Sequence, residues 1–259
     1  MSEASTIKNK IASAAQLLLN ARSTQKLLPE LPSEYRPGNS AEAYAIQDAV
    51  VAQLGPIGGW KVGAGSATAE PNCSPLPGSL IFNGSGSFSS RVYTLRGIEG
   101  EIGVRMKRDL PPRAEPYSIP DVISAVGSVH PMIEVVESRF TDRGKVDPLS
   151  ALADAASNGA LVYGEGRTDN LAIDQASQLF ELYFDSKKVV ELVGGNSAGN
   201  IWRLMAWLAN HVAARCGGLR AGQIVTTGSC TGVTYAKPGA RVKVSSPGLG
   251  KAELSFSVL

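Results

Sequence analysis

Apolar residues recur at helical spacing over residues 6–22, with Ile7, Ile11, Ala14, Leu17 and Leu18 along one side. A Pro-containing connector, LLPELPSEYRPG, follows. Asn39 then stands as an N-cap with Glu42 in the capping-box position, which predicts a helix through AEAYAIQDAVVAQL. From Gly58 to Ser90 the pattern changes to Gly, Pro, Ser and Asn broken by the short apolar runs WKVGA and SLIF, the composition of turns and short strands. Strand-like alternation is expected over Val92–Met106, Met132–Phe140, Leu161–Tyr163, Ala172–Asp174 and Leu182–Phe184. Helical spacing returns over Ile119–Val126, over Pro148–Ala156 with Leu149, Leu152 and Ala156, and over Asn200–Arg215. The closing stretch from Gly222 alternates strands with Pro-Gly turns. Strands dominate and helices gather early and late, so the expected class is α+β with a mostly antiparallel or mixed sheet rather than an alternating βαβ fold. One domain over residues 1–259 is expected, helical over about 1–55 and β-rich over about 58–259.

Composition narrows the function classes. The 259 residues are 43% hydrophobic and 19% charged with a net charge of +2, enough for a substantial core and no argument for nucleic acid or an anionic membrane. No apolar stretch is long enough to span a bilayer and the first residues lack a signal-peptide core, so a soluble cytoplasmic protein is expected. Three widely spaced cysteines give neither a disulfide framework nor a zinc pattern. Only two histidines occur: His130, before Pro131 at an expected strand start, and His211, inside the late helix. Proton chemistry therefore falls to carboxylates, lysine or metal-bound water. There is no G-x-G-x-x-G after a strand and no P-loop, so dinucleotide and ATP binding have no support.

Several segments are candidates for chemistry. Glu99 and Glu101 lie two apart in an expected strand, on one face and roughly 6–7 Å apart at their bases, with Ile102, Val104 and Met106 on the other face. A lone E-x-E is more often a wet sheet surface. If Glu134 reaches the same place from a second strand, the three carboxylates must repel or hold a hard divalent cation. Lys61, between Trp60 and Val62 in a Gly-flanked run, is either a surface lysine or a partly buried one, its pKa lowered unless an anion is near. The exit Val225-Thr226-Thr227-Gly228-Ser229 is either a turn or a carboxylate-binding loop. Ala153–Gly159 reads as a helix end capped by Asn158 and Gly159, and Gly194–Asn200 as a loop and N-cap or a set of backbone donors.

In order, the motifs W-K-V-G, E-x-E, I-E-V-V-E-S-R, D-x-A-S-x-G and G-x-I-V-x-T-G-S resemble the fumarylacetoacetate hydrolase superfamily, in its 2-keto-4-pentenoate hydratase and 4-oxalocrotonate decarboxylase branch, from about Ala43 onward. The resemblance implies a mixed β-roll holding Mg²⁺ or Mn²⁺ on Glu99, Glu101 and Glu134, with Lys61 as the catalytic lysine. Ser157, Thr227, Gly228 and Ser229 would line the substrate carboxylate, and the chain would form a homo-oligomer. The implied reaction is that of a hydratase-type lyase on small 2-hydroxydienoic or 2-oxo acids, through an enolate held at the metal. The runners-up are decarboxylation of a 2-oxo-3-enedioate and C–C hydrolysis of an acylpyruvate. The non-enzyme alternative is a partner subunit or ligand-binding relative. The chain departs from the branch at Leu76, where hydratases carry an acid, at Asp154-Ala155-Ala156-Ser157 and at Glu137, which strand alternation turns away from Glu134.

Overall fold

Alternation along each strand leaves a sheet with one apolar face, and two such faces close on one another here. The structure is a computed structural model that describes residues 3–169, 171 and 173–259. Helices α1 (Glu3–Thr24) and α2 (Ser40–Leu54) come first, before strands β1 (Ile57–Gly63), β2 (Asn72–Pro77), β3 (Ile81–Asn83), β4 (Ser85–Phe88) and β5 (Gly97–Met106). Helix α3 (Ile119–Ala125), β6 (Val126–Val136), α4 (Pro148–Ala153), β7 (Asn158–Tyr163), β8 (Leu179–Phe184) and β9 (Lys187–Val193) follow. The chain finishes with α5 (Ile201–Cys216), β10 (Ile224–Ser229), β11 (Thr234–Tyr235), β12 (Arg241–Ser246) and β13 (Gly250–Phe256).

The larger sheet runs β2-β1-β10-β5-β6-β7-β3, with β11 paired to β5; the smaller runs β4-β13-β12-β8-β9. Pairs β1–β10, β3–β7 and β4–β13 are parallel and the others antiparallel, so this is the expected α+β class with mixed sheets. Ile98, Ile102 and Val104 of β5 share a buried core with Val242, Val244 and Leu254 of the smaller sheet and with Leu204, Met205 and Leu208 of α5. The other face of the larger sheet carries polar groups and a small apolar cluster. Over residues 14–153, Ala14, Leu18, Ile46, Phe140 and Ala153 form a separate core between α1, α2 and α4. Gln47 of α2 locks that layer to the sheet, donating through Nε2 to the carbonyls of Cys73 and Leu152 and to Ser74 Oγ. No helix among the described residues is long and apolar enough to cross a membrane.

Several expected elements shift, each for a physical reason. Asn39 caps α2 by accepting from Glu42 N at 2.9 Å, but the Glu42 carboxylate takes Gly38 N and Lys10 Nζ instead, tying α1 to α2. The reciprocal capping box forms at Ser118 and Asp121, where α3 begins. The strand expected from Val92 starts at Gly97, after a turn in which Glu137 accepts from Thr94 Oγ1 and the amides of Leu95 and Arg96. Strand β6 begins at Val126, so His130 and Pro131 lie mid-strand rather than at its start. Proline is tolerated there because β7 pairs only as far as Met132, and the Pro131 carbonyl takes Gly164 N just past its end. Helix α4 stops at Ala153 rather than reaching Ala156, because residues 155–157 turn left-handed. The strand expected over Ala172–Asp174 does not form at Ile173 or Asp174, and Ala172 lies outside the described residues. Strands β8 and β9 form a hairpin across Asp185 and Ser186, both at positive φ.

The two sheets meet backbone to backbone just after β7. A Cβ on Gly164 would lie 1.8 Å from the Lys251 carbonyl oxygen and 2.9 Å from Ala252 N, both backbone atoms of β13. Gly164→Ala should therefore destabilise the protein by about 3 kcal/mol or more, the upper end of overpacking costs. Urea unfolding reads the effect, and a variant of wild-type midpoint would show the interface to be slack.

Candidate active site

Antiparallel pairing of β5 with β6 sets Glu99 directly across from Glu134 and Glu101 across from Met132. All three glutamates thus sit on the face of the larger sheet turned away from the inter-sheet core, and each offers an oxygen within 4.8 Å of the others'. Glu101 and Glu134 are fully buried, and Glu99 is half-buried. A wet sheet surface is excluded. Strand β10, between β1 and β5, pairs Thr226 with Gly103 on one side and with Lys61 on the other, bringing the lysine strand to the same face.

Each buried carboxylate has one oxygen tied down and one left bare. Glu101 Oε2 accepts from Thr226 Oγ1 and, at 3.0 Å, from Gly228 N, while its Oε1 has no partner. Glu134 Oε1 accepts from Lys61 Nζ at 2.8 Å and Asn158 Nδ2 at 2.9 Å, while its Oε2 has no partner. A buried carboxylate oxygen left without a donor is costly. Two of them in one cluster fit a cation, and hard oxygen donors fit Mg²⁺-like ions. Charge agrees: three carboxylates and one ammonium leave two negative charges, which one divalent cation cancels.

The electrostatics of the cluster carry the same signature. Burial lifts the Glu99 and Glu101 carboxyls above their ordinary range, Glu101 well above, and the charge of Glu134 pushes both further. Burial works to lower Lys61, but the charges of Glu134, Glu101 and Glu99 outweigh it and hold the ammonium above its ordinary value. The anion that would keep a buried lysine charged is therefore present. Besides Glu134, Lys61 Nζ donates to the Ala156 carbonyl at 3.0 Å.

The remaining residues singled out by sequence divide by what their polar atoms already do. Thr227 Oγ1 donates to the Ile102 carbonyl, and Gly228 N is spent on Glu101. Ser229 Oγ is buried beside the Glu99 carboxylate. Gly228, at φ 96°, makes the turn possible, and Asn196 Nδ2 clamps it by donating to the carbonyls of Thr227 and Gly228 at 2.9 and 3.3 Å. The Gly194–Asn200 segment thus both supports this turn and caps α5 through Asn200. Ser157 lies in the turn before β7, its amide donating to Asp154 O. Ala155, Ala156 and Ser157 have φ of 51°, 48° and 63°, a conformation costing about 1–2 kcal/mol per non-glycine residue.

Leu76 shares the site face, packed in a buried cluster with Met132, Leu161 and Ile224. His130 is occupied on both sides, Nε2 2.7 Å from Ser128 Oγ and Nδ1 2.8 Å from the Gly164 carbonyl, and burial keeps its pKa below the ordinary value. Asn158 was not foreseen as a site residue. It opens β7 instead of capping α4, and nothing in a one-dimensional pattern links it to Glu134. Thr226 lies in the exit segment singled out by sequence, but its hydroxyl is spent on Glu101.

The chain is 28% identical over 260 residues to the 2-keto-4-pentenoate hydratase of Paraburkholderia phymatum, covering 96% of this chain and 98% of the relative. It is 30% identical over 190 residues to the 2-hydroxyhexa-2,4-dienoate hydratase of Comamonas testosteroni, covering 73% and 71%. The solved structure of 4-oxalocrotonate decarboxylase from Pseudomonas putida G7, complexed with magnesium and adipate, superposes with a TM-score of 0.84 at 25% identity, covering 96% of this chain and 98% of that one. Residues 78–256 match the family described as fumarylacetoacetate (FAA) hydrolase C-terminal, more than half of the sequence, and the chain belongs to that family.

Proposed function

We propose that this chain is a divalent-metal-dependent lyase of the 2-keto-4-pentenoate hydratase type, acting on small 2-hydroxydienoic or 2-oxo acids through an enolate. The observation that carries this reading is the convergence of Glu99, Glu101 and Glu134, an oxygen of each within 4.8 Å of the others', with one buried oxygen of Glu101 and one of Glu134 left without a donor. Glu99, Glu101 and Glu134 would hold Mg²⁺ or Mn²⁺, the choice of hard cation that their oxygen donors suit. When bound, the cation supplies Lewis acidity toward a 2-oxygen. The hydratase relatives support the reaction class.

Lys61 is the proton carrier. A cation on the glutamates would weaken the charges that hold its ammonium above the ordinary value against burial, and the lysine would then exchange a proton between a 2-hydroxyl and carbon. Asn158 and the Ala156 carbonyl keep Glu134 and Lys61 oriented during that exchange. Ser229, beside the Glu99 carboxylate, and Ser157 are the donors proposed for the substrate carboxylate. Thr227 and Gly228 shape that side through the turn.

One observation favours a second reading, decarboxylation of a 2-oxo-3-enedioate. Leu76 lies with Met132, Leu161 and Ile224 in a buried apolar wall, so that side of the site offers no acid or base to activate water. Loss of carbon dioxide needs none, and a decarboxylase is among the structural relatives.

Incubation with Mg²⁺ and 2-hydroxypenta-2,4-dienoate, followed by NMR with EDTA as control, should give a metal-dependent 4-hydroxy-2-oxo acid. Ketonisation that stops at the 2-oxo-enoate moves the test to a 2-oxo-3-enedioate, where metal-dependent release of carbon dioxide selects the decarboxylase reading, and no metal-dependent change on either substrate would sink both. Glu101→Gln should weaken Mn²⁺ binding by about 100-fold or more in calorimetry. Lys61→Met, which removes a charge that opposes the cation, should hold or raise Mn²⁺ affinity while turnover falls by about 10²-fold or more. Equal turnover would remove Lys61 from the chemistry.

The cluster also sets a pH dependence. Glu99 and Glu101 hold protons above their ordinary range when the site is empty, so Mn²⁺ affinity should rise with pH through that upward-shifted window and then level. Metal-free stability should move the other way. The unfolded chain ionises these groups first, so, relative to Glu101→Gln protein, stability falls as pH rises from the ordinary carboxylate value to the raised one. Calorimetry and denaturant unfolding across pH read the two trends, and a flat affinity would contradict the shared-charge picture.

A further inference from the structure

Three consecutive non-glycine residues, Ala155, Ala156 and Ser157, hold positive φ. Side chains with a Cβ disfavour that conformation, and it persists only where the surroundings over-determine it. Both products of the turn serve the site: the Ala156 carbonyl takes Lys61 Nζ at 3.0 Å, and the residue leaving the turn, Asn158, donates to Glu134 Oε1 at 2.9 Å.

One buried guanidinium spans this turn. Arg139 Nη2 donates to the carbonyl before it, Asp154 O, at 2.6 Å, and Nη1 to the carbonyl after it, Asn158 O, at 2.8 Å. Its Nε pairs with the Asp154 carboxylate, whose second oxygen accepts from Arg139 N at 3.1 Å. Arg22 of α1 adds a longer bond to Asn158 O, 3.3 Å. We propose that Arg139 is a positioning residue: by bridging the carbonyls of Asp154 and Asn158 it holds the left-handed turn 155–157, and through that turn it sets where Lys61 and Glu134 stand. A planar fork with diverging donors reaches both carbonyls and the carboxylate at once, which the point charge of an ammonium does not. The site consequence rests on the reading of the glutamates as metal ligands and of Lys61 as the proton carrier.

The test compares wild type, Arg139→Lys, Ala156→Gly and the double variant. Arg139→Lys keeps the positive charge for Asp154 but loses the bridge. Glycine at 156 adopts positive φ unaided, so it should substitute for the bridge. In Arg139→Lys protein, Mn²⁺ affinity and kcat should each fall about tenfold with KM little changed, as for loss of a group that orients a ligand. Ala156→Gly in that background should restore most of both. A fall in Tm alone, with Mn²⁺ affinity and kcat intact, would mark Arg139 as purely structural and overturn the proposal, and so would a double variant no better than Arg139→Lys. Wild-type protein that binds no Mn²⁺ and turns nothing over would instead defeat the functional reading. In that event a crystal structure of Arg139→Lys decides: a turn still left-handed, with Lys61 still on the Ala156 carbonyl, would overturn the proposal, and a relaxed turn would sustain it.

Discussion

Three carboxylates crowded on one sheet face, two of them sealed from solvent, set a condition that the surrounding structure has to meet. Like charges at that spacing in a poorly polarisable interior repel strongly. The condition is met by neighbours on strands that lie side by side. Lysine comes from β1, a hydroxyl and an amide from β10, and an amide side chain from β7, around carboxylates on β5 and β6. The strand order β1-β10-β5-β6-β7 is what makes these five sources adjacent. Every donor so placed binds one oxygen of Glu101 or Glu134 and leaves the other without a partner.

The two faces of the larger sheet divide the labour. One is buried against the smaller sheet and α5, and it supplies rigidity through Ile98, Ile102, Val104 and their partners. The other carries the glutamates, with Met132 paired across from Glu101 and Leu161 across from Glu134, beside Leu76 and Ile224. Alternation along β5 assigns successive residues to these two roles, so the carboxylates are anchored by the core packing of their own neighbours. The second core beneath α1, α2 and α4 backs the turn that precedes β7.

Much of this was legible in the one-dimensional pattern, and the limits fall where contacts are long-range. The E-x-E of Glu99 and Glu101 reads directly, because period-two alternation needs only local geometry. Their pairing with Glu134 was inferable only from motif order, since a register across some thirty residues leaves no local trace. Asn158 was misassigned because an Asn-Gly after a helical run is the ordinary sign of a cap. The chain instead turns left-handed before it, a conformation that Ala155 and Ala156 do not advertise. The early end of α4 has the same origin. Helices with strong caps, such as α2 at Asn39, came out close to expectation because caps are local chemistry.

The position of β10 has a consequence for the order in which the site comes into being. It is made after α5, yet it inserts between β1 and β5 in the middle of the larger sheet. A growing chain that has reached Cys216 already contains all three glutamates and Lys61, but the strand that joins the lysine side to the glutamate side does not yet exist. The bonds from Thr226 and Gly228 to Glu101 close across 125 and 127 residues, against 24 for the bond from Asn158 to Glu134. Strands β5, β6 and β7 can therefore pair early as a half-built acidic surface. Only synthesis of β10 joins that surface to the lysine strand, which makes the site depend on a strand formed late and paired over long range.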